Sequence, residues 1–218
     1  MNLPAALFPS LLLWLCNALA LALLGLAFVR GGRPDPQRVN AWLAAVALTA
    51  ALWSLQLTLR PGLGFHLLGA AAFSLLMGPW HAVLACALLL LVQGLAGQGE
   101  IPAFGLDLLI GGALPVGLTT VLRLACERCL PANLFVYIFL VAFLGGGLSL
   151  LAVNLAALLF LGLAGAYPWD ELLGSVMPYY LLLSWSEAFT TGLVLSILVV
   201  YRPHWVSTFD DRRYLDRR

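Results

Sequence analysis

The chain has 218 residues, 62% of them hydrophobic and 10% charged, with a net charge of +1 and a mean hydropathy of +0.99. Soluble domains hold about 45–50% apolar and about 25% charged residues, so no water-soluble fold hides this much apolar surface and the solvent is a bilayer. The small net charge and the absence of any Lys/Arg-rich run exclude nucleic acid as a partner, and four scattered cysteines (Cys16, Cys86, Cys126, Cys129) do not make a disulfide framework.

The opening "MNLPAALFPS" has no basic n-region, and the first arginine, Arg30, follows the apolar run, so a secretory signal is a poor reading and the first helix is expected to be kept. A span needs about 20 mostly apolar residues. Such runs, read between turn signals, predict seven spans near 9–29, 41–59, 64–78, 80–97, 105–125, 133–163 and 174–200. The expectation is an all-α polytopic membrane bundle forming a single transmembrane domain over 1–218, with a short N-terminal insert at 1–8 and a polar cytoplasmic tail at 202–218. The third span is short and only "GPW" divides it from the fourth, so the two are expected to form a tight hairpin. The sixth is long and contains "GGG" at 145–147, which predicts tilt, a kink or a break. The final "FDDRRYLDRR" is expected to fray.

All eleven cations are arginines. With the N-terminus outside and the C-terminus cytoplasmic, ten of them fall on the cytoplasmic side and only Arg60 falls outside, a strong positive-inside signal for a multi-pass protein of the cell (inner) membrane. Asp35, Glu127, Asp210, Asp211 and Asp216 sit beside cytoplasmic arginines. Glu100, Asp107, Asp170, Glu171 and Glu187 fall on the outer side or within the membrane with hardly a cation near them, giving a field that attracts cations.

Three ionisable residues of the outer half stand out. His66 lies at the entry of the third span, and Asp107 lies two or three residues into the fifth. Glu187 lies over ten residues into the seventh, where a charge costs about 2.5–3.5 kcal/mol on insertion scales and so has a partner or a function. Its expected structural partners are Ser184, Thr190 and Thr191. An imidazole with nearby carboxylates suits a transition metal. Other features carry less. "CERC" at 126–129 is a lone CxxC, and a structural zinc site needs four ligands. His81 reads as interfacial and His204 as solvated. Met77 and Met177 read as packing. Ala18 and Ala22 form a small-xxx-small pair that reads as helix packing, with docking of a coupling subunit as its other use. There is no Walker A, HExxH or GxSxG motif, and an enzyme is not expected.

The order "MNLP…FPS…W", "FHLLGAAAFSLLMGPW", "VQGLAGQGEIPAFGLD" and "SEAFTTGLVLSILVVYRP" resembles the CbiM/NikM family, the substrate-capture membrane subunits of energy-coupling-factor importers for cobalt and nickel. The resemblance spans nearly the whole chain. It implies a bundle of about seven spans with its N-terminal segment inserted from outside. It also implies a divalent metal ion as substrate, no permanently bound cofactor, and lipid, a transmembrane coupling subunit and ATPases as partners. The family's metal is typically held by the terminal amine, a second-position histidine and a later histidine, which places Met1 and His66 at the site. Two positions depart from the pattern: Asn2 stands for the second-position histidine, and Asp107 stands for an asparagine. The resulting candidate ligands are Met1, Asn2, His66 and Asp107, with Glu100 and Glu187 in support. The alternative function is a non-transporting membrane assembly or interaction protein that retains the fold.

Overall fold

The computed structural model describes residues 3–54, 57–60, 62–210 and 214, with the backbone alone for residues 57–60 and 65. Leu3 is buried, and a single 3₁₀ turn, Ala5–Leu7, leads through Phe8 into helix α1, Ser10–Gly31. This entry segment is tucked into the bundle, with Phe8 edge-on to Phe160 at 6.3 Å. Helix α1 is apolar all round, but only Leu13, Cys16, Ala20 and Ala27 are buried. These small or slender side chains recur at helical spacing and let the backbones of neighbouring helices approach. Ala18 and Ala22 lie on the opposite, exposed side, so they are not the pair that packs the bundle.

Helix α2, Pro36–Ser54, starts on a proline suited to a first helical turn. It ends earlier than the predicted second span because residues 57–60 and 63–65 pair as two short strands. Strands β1 (Leu57–Arg60) and β2 (Leu63–Phe65) pair antiparallel with Leu57 opposite Phe65 and a bulge between Thr58 and Arg60. The signal was the "RPG" at 60–62: Gly62 takes φ +80, the left-handed conformation a turn after proline requires. Its α-carbon is also crowded, since an added Cβ would sit 3.1 Å from Pro4 and Leu161 side-chain atoms.

The third predicted span is helical only in its inner half. Helix α3 runs Ala70–Met77, and seven of its eight residues are buried. At about 1.5 Å per residue it is about 12 Å long, far short of a bilayer. The rest of the crossing, residues 66–69, is non-helical, with Gly69 left-handed at φ +75. Non-helical backbone at membrane depth survives only where it is buried in protein and its polar groups are satisfied. Here α3 packs against α4 (Pro79–Leu95), α6 (Leu114–Cys129) and α9 (Met177–Tyr201). Gly78, at φ +82, makes the tight α3–α4 turn anticipated from "GPW".

The remaining spans carry π-helical stretches. Helix α5 (Phe104–Leu108) passes through a π turn at Leu109–Ala113 into α6. Residues Val136–Leu144 are π-helical and continue into α7, Gly145–Leu163. The short α8, Trp169–Glu171, continues through a π turn at Leu172–Val176 into α9. The glycine triplet does not break the sixth span. It is an approach surface, because an added Cβ would meet Thr191 Cβ at 2.9 Å from Gly146 and Ala188 Cβ at 3.1 Å from Gly147.

The segment just after α9 is docked, and of the final ten residues, expected to fray, Phe209 and Tyr214 are buried while 211–213 and 215–218 lie outside the described residues. Backbone N–H groups of Ser207 and Thr208 donate to the carbonyls of Leu76 and Leu75 at 3.0 and 3.4 Å, and Thr208 Oγ1 adds a 2.7 Å bond to Leu75 O. Those carbonyls end α3 and would otherwise be orphaned. Phe209 and Tyr214 stack at 5.0 Å and both pack edge-on against Tyr137.

Close packing also sets a testable limit. An added Cβ on Gly105 would lie 2.5 Å from the backbone N and Cα of Asn17, whereas nothing lies within 4 Å of Gly117. Gly105→Ala should force α1 from α5 at a cost of about 1–3 kcal/mol, and Gly117→Ala should be neutral or stabilising by about 0.5–1 kcal/mol. Thermal unfolding in detergent reads both, and equal melting points would contradict the packing.

Candidate metal-capture site

His66 sits on the non-helical segment that leads into α3. Its ring lies 4.9 Å from that of Trp53, a buried α2 residue. The carbonyl of Leu67 accepts a hydrogen bond from Trp53 Nε1 at 2.9 Å and contacts His66 Nδ1 at 3.1 Å. A carbonyl can only accept, so Nδ1 carries the proton and the lone pair is on Nε2. A hydrogen bond from one ring nitrogen to a backbone carbonyl orients an imidazole so that its other nitrogen can serve a metal.

Beneath this loop lies Glu187, 2% exposed, on α9. Its two carboxylate oxygens accept the N–H groups of Leu68 at 2.9 Å and Gly69 at 2.8 Å. Gly69 is the N-cap of α3 and, at φ +75, supplies no capping side chain. Glu187 therefore serves as a cap delivered from a helix more than a hundred residues away, satisfying orphan donors and facing the positive end of the α3 dipole. The expected hydroxyl partners are engaged elsewhere: Ser184 Oγ donates to Tyr180 O at 2.7 Å and Thr190 Oγ1 to Ser186 O at 2.9 Å. Thr191 packs against Gly146. Serine and threonine in a helix readily bond the carbonyl one turn back, which removed them as partners for the carboxylate.

The other two acids hold the beginning of the chain. Asp107, 4% exposed in the first turn of α5, accepts the N–H of Leu3 at 3.1 Å through Oδ1. Glu100, preceding the 3₁₀ turn Ile101–Ala103, accepts the N–H of Ala5 at 2.8 Å. Both carboxylates thus pin the entry segment at its outer end. Asn17, a polar residue inside α1, ties that helix to the same region: its amide nitrogen donates to Leu13 O and Pro102 O, both at 2.9 Å, and its oxygen accepts Gly105 N–H at 2.9 Å. A cavity of about 140 Å³ adjoins Glu100 and Asp107.

The structure thus gives two built pieces, the His66 loop held by Trp53 and Glu187 and the entry segment held by Asp107 and Glu100. Met1 and Asn2 lie outside the described residues. Among the described residues, no three His, Cys, Asp or Glu side chains gather as a metal cluster. The acids are spent on backbone amides, so the outer half is less a bare acidic basin than a frame. Trp53 and Asn17 carry that frame and were not singled out from sequence. A lone asparagine in an apolar span is the signal that would have found the second.

A buried half-helix with satisfied non-helical backbone, inside a bundle of apolar helices long enough to cross a bilayer, defines a polytopic membrane transport component. The model of the family described as CbiM, "Cobalt uptake substrate-specific transmembrane region", matches residues 2–205, and the chain belongs to that family. The family is one of transport components and not of enzymes. Among solved structures, the fold is shared with a truncated transition metal transporter (TM-score 0.79, 21% identity, covering 92% of this chain and 99% of that one). It is shared also with a transition metal transporter (TM-score 0.75, 22% identity, covering 91% and 92%). No curated protein matches.

Two substitutions probe the frame. Glu187→Gln keeps the shape but sets an amide N–H₂ against one of two backbone donors, so it should lower the melting point and weaken metal binding together. Trp53→Phe removes one donor to Leu67 O and should weaken Co²⁺ binding by about 10–100-fold, with a smaller fall in melting point. Calorimetric titration and thermal unfolding of both variants check this. Wild-type affinity in Trp53→Phe would detach the tryptophan from the site.

Proposed function

We propose that the protein captures a divalent transition-metal ion at the outer face of the cell (inner) membrane and hands it to a separate coupling subunit driven by ATPases. The observation that carries this is the placement of His66 on the loop held by Glu187, with Nδ1 3.1 Å from the Leu67 carbonyl, which assigns metal ligation to Nε2. The pinned entry segment supports it, because carboxylate bonds to Leu3 and Ala5 hold the start of the chain in the outer half. The ligand set is the Met1 amine, Asn2 and His66, with Asp107 supplying a nearby charge through whichever oxygen is not engaged by Leu3. Glu100 and Glu187 act by holding backbone.

Replacing an imidazole by an amide shifts one donor from nitrogen to oxygen, and replacing an amide by a carboxylate adds a negative charge beside it. Oxygen donors and a higher coordination number favour a cobalt-like ion over square-planar nickel. Asp107→Asn isolates the charge, since an asparagine oxygen still accepts the Leu3 N–H. That variant should bind Co²⁺ more weakly without losing stability.

His66→Ala should abolish Co²⁺ binding while leaving expression and helicity intact, and wild-type metal content in that variant would sink the proposal. An amine ligand must also shed its proton. Its ordinary pKa is about 7.7–8.0, so affinity should fall about tenfold per pH unit below that range. A tag fused before Met1 should eliminate binding and one after Arg218 should not. Equal affinity of N-tagged, tag-cleaved and C-tagged protein, or a flat pH profile, would remove the terminus from the site.

A further inference from the structure

Gln93 is 5% exposed in α4, and among the described residues neither oxygen nor nitrogen of its carboxamide has a hydrogen-bond partner. Buried carboxamides are ordinarily satisfied, so a wholly orphaned one calls for a reason. Its position supplies one. An added Cβ on Gly112 would lie 3.1 Å from Cys86 Cβ, so α4 presents the Cys86 face to the π turn between α5 and α6. Two turns further out on that face is Gln93, and five residues back along the opposing, oppositely running helix is Asp107 in the first turn of α5. Its neighbours Leu90 and Gly94 line the cavity beside Asp107 and Glu100.

Depth agrees with this. Counting from the Gly78 turn, α4 rises about 1.5 Å per residue and reaches Gln93 at about 22 Å. On the other arm, α3 rises at the same pitch to Gly69 at about 14 Å, and the three non-helical residues beyond it reach at most about 10 Å further. Gln93 and Asp107 therefore share the outer half of the bundle with His66, the half to which Leu3 delivers the start of the chain.

We infer that the Gln93 carboxamide is a cargo-contacting group, its oxygen a donor to the captured divalent cation or to a water the cation carries. This rests on the capture function proposed above, and it adds an oxygen donor from a helix that the terminal segment and the His66 loop do not include. It also fits the shift toward an oxygen ligand at Asn2.

The test is Co²⁺ titration of the full-length protein in detergent, followed by calorimetry and visible absorption, for wild type, Gln93→Leu, Gln93→Glu and His66→Ala. Gln93→Leu fills the same volume without donors. It should weaken Co²⁺ binding by about 10–100-fold and change the Co²⁺ absorption spectrum, while its melting point stays level or rises. Gln93→Glu keeps the oxygen and adds charge, so it should bind Co²⁺ more tightly than wild type and with an altered spectrum. If both bind Co²⁺ as wild type does and with its spectrum while His66→Ala loses it, the inference is overturned and the capture function stands. If His66→Ala also binds normally, the capture function falls and takes the inference with it. Should Gln93→Leu fail to fold, Gln93→Glu decides alone: wild-type affinity with an unaltered pH profile and spectrum overturns the inference.

Discussion

The rest of the structure depends on one carboxylate. Glu187 sits deep in α9 and holds the N–H groups of Leu68 and Gly69. Those two amides begin a half-helix in the middle of the bundle, where water cannot serve them. Hydrogen bonds to a charged group contribute about 1.5–3 kcal/mol each, and an unserved buried donor costs a comparable amount. Without the clamp, the non-helical stretch 66–69 has no reason to hold its shape at that depth. With it, the peptide carrying His66 becomes a fixed platform, and Trp53 completes it at the Leu67 carbonyl.

The other end of α3 is held by the same stretch of chain. After α9 ends, Ser207 and Thr208 return under α3 and bond the carbonyls of Leu75 and Leu76, with Tyr137 anchoring Thr208 through a 2.7 Å hydroxyl contact. Residues 177–208 therefore fix both termini of the half-helix. The glycines at 146 and 147 let α7 close on the α9 backbone at Glu187 and Ala188, so the stretch of α9 that carries the carboxylate is held against α7. A single packed unit runs from the inner face to the base of the His66 loop.

Much of the fold was legible in the sequence because apolar run length and arginine asymmetry report directly on a bilayer. The helical bundle, the α3–α4 hairpin and the long sixth and seventh spans all followed from that. What hydropathy could not show was a crossing made half of helix and half of non-helical chain, since "GFHLLGAAAFSLLM" is apolar throughout in either conformation. The Pro-Gly at 61–62 was the overlooked turn signal. Residue chemistry at the site was half legible. His66, Asp107, Glu100 and Glu187 stood out as ionisable groups in the outer half, and three of the four turned out to bond backbone amides of distant segments. Such pairings are set by tertiary placement and leave no spacing rule in the chain. Asn17, Trp53 and Gln93 were obscured because a single amide or indole in an apolar run reads first as packing.

The central claim is that His66 presents Nε2 to a metal ion alongside the chain terminus. X-ray absorption at the cobalt edge of protein loaded with one equivalent of Co²⁺ tests it most directly. The account predicts a first shell of nitrogen and oxygen only, with the outer-shell scattering of a single imidazole that disappears in His66→Ala. Sulfur in the first shell, or an imidazole signal that survives that substitution, would contradict it.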